Sequence, residues 1–150
     1  TTKTTTLPIN NPNTRNKPLF TLFDLEQQSY YGQSQNQINI NVPPYQMRTL
    51  LLREFKGAPV LIGSTLPISQ TLPTDIGERW NPATLTLTNT ITTSHKAGTL
   101  HYLIPQNYKI HSATQNDAPL EWSHQNNTLT LNISPTPNSP TNYTLTFTAN

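Results

Sequence analysis

Apolar residues fall at every second position along much of this chain, and that period constrains the fold more than any other feature. "QININV" places Ile38, Ile40 and Val42 on one side and Asn39 and Asn41 on the other. "TLTLTNTITT" does the same with Leu85, Leu87 and Ile91 inward and Thr outward, and "TLTLNIS" and "YTLTFTA" repeat the pattern near the end. A two-residue period belongs to half-buried β-strands, whose successive side chains point to opposite faces. No stretch carries the 3.6-residue stripe of a helix beyond a possible single turn over residues 24–28.

Further strands are expected at "LFTLFDL", "GTLHYLIP", "YKIHSAT" and "LEWSH", with "QNDAP" and "QNN" as turns. The most apolar run is "RTLLLREFKGAPVLIGST", residues 48–65. Leu50, Leu51 and Leu52 do not alternate, as expected of a strand covered on both faces. Lys56-Gly57 reads as the turn that brings "APVLIGS" back as a second buried strand of one hairpin, around which the core would be organised. Prolines at 67, 73 and 82 predict a loop over residues 66–82. Turn signals return about every 8–12 residues, the spacing of an antiparallel β-sandwich. The expected fold is all-β: two packed antiparallel sheets, immunoglobulin-like or jelly-roll-like. Residues 1–18, polar and broken by Pro, read as a linker or extended lead-in, and residues 19–150 as a single sandwich domain.

The 150 residues are enough to bury roughly two-thirds of the unfolded surface in one domain. Only 33% are hydrophobic and mean hydropathy is −0.55, yet only 11% are charged. Disordered chains combine low hydrophobicity with high charge. Here the polar residues are neutral and many are Thr, which suits the open face of a sheet.

The net charge of +2 comes from scattered Lys and Arg, without the runs or aromatic interleaving of nucleic-acid binders. No segment reaches the roughly 18 apolar residues of a membrane span. With no Cys in the chain, disulfides, thiolate metal sites and Cys nucleophiles are excluded. The Thr/Asn-rich, low-charge composition resembles that of secreted or cell-surface modules, and a secreted or cell-surface location is the expectation.

The carboxylates Asp24, Glu26, Glu54, Asp75, Glu78, Asp117 and Glu121 fall in expected turns or at strand ends and read as solvated surface acids. A glycosidase would need two of them about 5–5.5 Å apart in a cleft. Of His95, His101, His111 and His124, only His101 and His111 lie on neighbouring expected strands where they could face each other; the spacing matches no metal motif. No Ser occupies a G-x-S-x-G elbow. Catalytic residues, metal ligands and cofactors are therefore not expected in this chain. The best binding candidates are aromatic, since sugar rings stack their apolar C–H faces on exposed Trp and Tyr: Trp80, Trp122, Tyr30, Tyr31 and Tyr45 lie near expected loops. The competing reading places Trp80 and Trp122 as plugs at the two ends of a thin core. Asn126, Asn132 and Asn142 each begin an N-x-[ST] sequon.

The order of these pieces carries a resemblance. "LFTLFDLEQQSYYG" gives a strand with an F-D-L end followed by a polar, Gly-containing connection. "INVPPYQMRTLLLREFKGAPVLIGSTLPISQ" follows with P-x-x-x-R-x-L-x-L-R from Pro44 to Arg53 and a G-x-P-x-L-x-G strand from Gly57 to Gly63. Over residues 20–70 this resembles the C-terminal β-sandwich that follows the (β/α)₈ barrel in α-galactosidase-like glycoside hydrolases. The chain departs from that pattern at Leu66-Pro67-Ile68, where related sequences often carry His. The resemblance implies an accessory domain that packs against a catalytic barrel of the same polypeptide, with the catalytic acids in the barrel and none here. The alternative is an autonomous carbohydrate-binding or adhesin module, and a free-standing small hydrolase ranks third.

Overall fold

In the computed structural model the described residues are 2–10, 15–66, 76–92, 97–136 and 139–150. They form antiparallel β-strands and turns, with no helix among them. The chain gathers into two compact units, Thr1–Lys56 and Gly57–Asn150.

The first unit holds a two-stranded and a three-stranded sheet. The strands are β1 (Lys3–Pro8), β2 (Phe20–Asp24), β3 (Ser29–Ser34), β4 (Gln37–Val42) and β5 (Leu50–Glu54), ordered β1-β4 and β3-β2-β5. β1 falls within the residues expected as a lead-in. It pairs with β4 from Lys3↔Val42 to Pro8↔Gln37, and the Thr4 and Thr6 hydroxyls donate to the Asn41 and Asn39 side chains opposite at 2.7 Å. Its polar, mostly exposed residues hid it from a reading based on hydrophobic alternation. β3, expected as a connection, is likewise a strand. A bulge between Leu22 and Phe23 leaves Tyr31 without a directly opposite partner. Leu22, Phe23 and Ile40 are buried.

The second unit is a β-sandwich. Its strands are β6 (Val60–Ser64), β7 (Ile76–Asn81), β8 (Thr86–Ile91), β9 (Gly98–Leu103), β10 (Tyr108–Gln115), β11 (Ala118–Pro119), β12 (Trp122–Gln125), β13 (Thr128–Ile133) and β14 (Thr141–Ala149). The chain distributes them between a five-stranded sheet, β11-β10-β14-β8-β7, and a four-stranded sheet, β12-β13-β9-β6. Alternation decides what lies between them. Leu87, Ile91, Ile110, Tyr143, Leu145 and Phe147 come from the first sheet, and Leu61, Leu100, Tyr102, Leu129, Leu131 and Ile133 from the second; together they form one buried cluster. Each such side chain contributes about 1.5–3 kcal/mol when fully buried. Two hairpins use two-residue turns with both residues at positive φ: Asn116-Asp117 joins β10 to β11 and Asn126-Asn127 joins β12 to β13. This is the type I′ geometry that Asn and Asp tolerate best after Gly.

Three expectations are corrected. The apolar run is not a hairpin. β5 pairs with β2 (Phe20↔Glu54 to Asp24↔Leu50), and Phe55 N extends that pairing to Leu19 O at 2.7 Å. β6 instead pairs with β9, so Gly57, at φ 79°, carries the chain out of one unit and into the other. The loop expected over 66–82 contains β7, whose six residues lie in register with β8 from Ile76↔Ile91 to Asn81↔Thr86; the expected bends at Pro67 and Pro73 lie outside the described residues, and Pro82 follows the strand. His101 and His111 do not face each other, because β9 and β10 belong to different sheets.

A polar row crosses the inner face of the five-stranded sheet: Glu78, Asn89, Tyr143 and Gln115 are opposed in register on β7, β8, β14 and β10. Hydrogen bonds tie it to the other sheet. The Tyr102 hydroxyl donates to Asn89 Oδ1 at 3.0 Å, and the Leu61 backbone N–H donates to Glu78 Oε2 at 2.7 Å. Burial, then the Glu78 charge and Tyr143, hold the Tyr102 phenol well above its ordinary pKa; burial pushes Tyr143 up to about 12. Asn89 Nδ2 and the Tyr143 hydroxyl are buried without a partner.

The two tyrosines therefore separate in a prediction read by chemical denaturation. Tyr102→Phe strands a buried acceptor and costs ~1–3 kcal/mol, whereas Tyr143→Phe removes an unbonded hydroxyl and changes stability by less than about 1 kcal/mol, toward stabilisation.

Candidate binding surfaces

Two of the pieces that carry the sequence resemblance, the F-D-L end of β2 and the Arg48-Thr49 step into β5, meet at one turn of the first unit. Asp24, at the end of β2, is buried, contrary to its expected place among the surface acids. Its Oδ1 accepts from the backbone N–H of Glu26 (3.0 Å) and Gln27 (2.9 Å), closing the β2–β3 turn, and its Oδ2 meets Arg48 Nη1 at 3.4 Å. The Gln27 amide oxygen, turned toward the guanidinium, accepts from Nη1 and Nη2 at 2.9 Å. Glu26 reaches across to the Thr49 backbone N–H, and Leu25 N donates to Thr49 O at 2.9 Å. The segment leading into β5 is thus bonded to the turn that leaves β2.

The side-chain and backbone hydrogen bonds from Thr49 hold the Glu26 carboxyl below its ordinary pKa, against a small opposing effect of burial. Such an acid stabilises the fold above its unfolded value, and the contribution is lost as pH falls through the folded value.

Between β4 and this anchored segment the chain makes a tight turn. Gln46 N donates to Pro43 O at 3.3 Å, with Pro44 and Tyr45 at the two central positions and Tyr45 at φ 61°. That is a type II turn, with a bulky residue where Gly or Asn is preferred. Tyr45 is fully exposed, at 108% of its reference area, and Met47 is exposed at 76%.

The five aromatic candidates are divided between the units, with Tyr30, Tyr31 and Tyr45 in the first and Trp80 and Trp122 in the second. Trp80 lies half-buried on the inner face of β7, edge-on to Tyr108 (centroids 5.4 Å, 74°) and Phe147 (5.8 Å, 64°), and packs against the core. Trp122 lies on the edge strand β12, opposite Leu131, and is 40% exposed. Of the two proposed core plugs, Trp80 fills that place. Tyr30 is half-buried opposite Phe23, and burial raises its phenol pKa. Tyr31 is at the surface, its hydroxyl donating to Asn39 O at 3.2 Å. Of the five, Tyr45 is the most exposed. The sequence reading missed Leu7, Met47 and Leu52 as exposed apolar residues. For Met47, the signal available was its position two residues beyond a Pro-Pro-Tyr turn.

The titratable groups are distributed as follows. Glu54 faces Lys56 at 3.7 Å on an open surface, Asp117 is in the β10–β11 turn, and Glu121 is exposed. Glu78, expected at a strand end and in solvent, is instead mid-strand on the inner face of β7. Asp75 and His95 lie outside the described residues. His101 shares hydrogen bonds with the Thr99 hydroxyl (3.3 Å) and the Thr130 hydroxyl (3.2 Å), and burial lowers its pKa, favouring the neutral ring. Among the described residues, no three His, Cys, Asp or Glu side chains are grouped closely enough to hold a metal ion. No helix among them is long and apolar enough to cross a membrane.

Two measurements check these placements. Glu26→Gln should flatten the acid limb of stability, so that the variant loses less than the parent when urea midpoints are compared at pH 7 and pH 3.5. In iodide quenching, fluorescence should resolve into one accessible and one protected tryptophan, and Trp122→Phe should remove the accessible component.

No family model, curated protein or solved structure matches the chain.

Proposed function

We propose that this chain is a non-catalytic accessory β module of a carbohydrate-active enzyme. In this reading it packs against a catalytic barrel carried elsewhere on the same polypeptide, in a secreted or cell-surface protein. One observation carries the proposal: of the six exposed large apolar side chains among the described residues, all but Trp122 (Leu7, Tyr31, Tyr45, Met47 and Leu52) lie in the first unit, and Leu52 lies on its edge strand β5. Apolar surface left bare in a small unit is the mark of a face that meets another protein surface or a ligand. The sequence resemblance over residues 20–70 supplies the kind of neighbour: the barrel of an α-galactosidase-like glycoside hydrolase, which would hold the catalytic acids.

The use of carboxylates points the same way. Asp24, Glu26 and Glu78 each accept a backbone N–H and serve the fold. The alternative, an autonomous carbohydrate-binding or adhesin module, is favoured by the exposed Trp122 on edge strand β12.

The mass of the native polypeptide tests the choice. An immunoblot of the producing cells with antibodies to this chain should show a species larger by a barrel, about 250 or more residues. A band at 16.8 kDa would remove the accessory-domain reading and leave the autonomous module.

A further inference from the structure

We propose that the turn over residues 43–46 is a carbohydrate-contact tip, with Tyr45 as the platform on which a neutral pyranose ring stacks. The proposal rests on the carbohydrate reading above and names the residue that makes the contact.

Tyr45 opposes folding through its backbone. A non-glycine residue in the left-handed region lowers the folding equilibrium about tenfold relative to a residue at ease there, and the third position of a type II turn accepts Gly or Asn without that strain. The ring, 108% exposed at φ 61°, gains no packing in return. A strained residue that its own fold does not repay points to a role outside the fold.

The base of the turn is fixed. Arg48 is bonded to Asp24 and Gln27, and Thr49 to Glu26 and Leu25, so the ring projects from a braced segment. A tyrosine has only two side-chain torsions to immobilise, which keeps the entropic cost of a contact low.

The chemistry of the tip selects the ligand. Pro43, Pro44, Gln46 and Met47 are uncharged, and the nearest cation in sequence, Arg48, is engaged by Asp24. An anionic polymer would find no counter-charge in the turn. A pyranose would set its apolar C–H face on the Tyr45 ring, with the exposed Gln46 amide beside it to donate to and accept from hydroxyls.

The test is NMR titration of the 150-residue chain with a panel of short neutral oligosaccharides of galacto, manno and gluco configuration. The expected result is a saturable shift of the Tyr45 ring signals with at least one member. Tyr45→Gly, and Tyr45→Asn as a second variant at ease in the turn, should bind it at least tenfold more weakly while melting at a higher temperature than the parent. Trp122→Ala should leave that affinity unchanged. The proposal is overturned if no member of the panel shifts Tyr45, or if binding survives in both Tyr45 variants. The outcomes separate from those of the native-mass experiment. A free-standing 16.8 kDa protein that binds through Tyr45 keeps this inference and removes the accessory-domain reading, whereas a larger polypeptide with a silent Tyr45 does the reverse.

Discussion

The sandwich of the second unit depends on a single apolar layer between two sheets. A chain that is 33% hydrophobic can supply that layer only if its strands direct their apolar residues consistently to one face. Alternation is therefore the condition under which so polar a chain can fold, and it leaves the opposite positions free for threonine. Thr88, Thr144 and Thr114 line up in register on the outer face of the five-stranded sheet, while Leu87, Leu145 and Ala113 line up on the inner one. The layer also limits what polar groups may enter it. Asn89 is accommodated because the Tyr102 hydroxyl crosses from the opposite sheet to meet it, and Glu78 because it takes an N–H from β6.

What the sequence made legible follows from the same rule. Strands with one buried face, such as β4, β8, β13 and β14, showed their period and their inward residues, because burial and side-chain direction coincide. The asparagine turns were legible too, since they require a backbone that few other residues adopt. β1 and β3 were not, because neither presents a continuous apolar face. The apolar run of residues 48–65 misled for the opposite reason. Two apolar runs on either side of a Lys-Gly step look like a hairpin of strands covered on both faces, but only β6 is buried throughout, Leu52 of edge strand β5 is exposed, and strand pairing is a long-range choice that neither composition nor local turn chemistry encodes. β5 found β2, some thirty positions earlier, and β6 found β9, some forty positions later.

The candidate surfaces were legible only in part, for a related reason. Aromatic residues near loops can be located in a sequence, but their exposure depends on which strand covers them. Trp80 and Trp122 look alike in sequence, and one packs edge-on against Tyr108 and Phe147 while the other stands on an edge strand. Tyr45 is different. The Pro-Pro step already implied a turn, and a tyrosine at its third position could be recognised as out of place from turn chemistry alone. The bracing of that turn could not, because it depends on Arg48 meeting Asp24 across a separation of 24 positions.

The carboxylates bring these strands of argument together. In a β fold, turns and irregular crossings leave backbone N–H groups that no ladder partner satisfies, and a buried donor without an acceptor costs about 1–3 kcal/mol. Asp24 answers two such donors and Glu78 one, while Glu26 takes the Thr49 N–H at the open surface, so three of the seven acids in the chain are bonded to the backbone. A general acid or nucleophile has to change its bonding during a reaction, and Asp24 and Glu78 could do so only by returning that cost to the fold. Tyr45 is under no such obligation: its side chain is fully exposed and no hydrogen bond joins its hydroxyl to another of the described residues. In the proposed reading Asp24, Glu26 and Glu78 belong to the scaffold, and the group that acts on something else is the uncharged ring of Tyr45 at the tip of a braced turn.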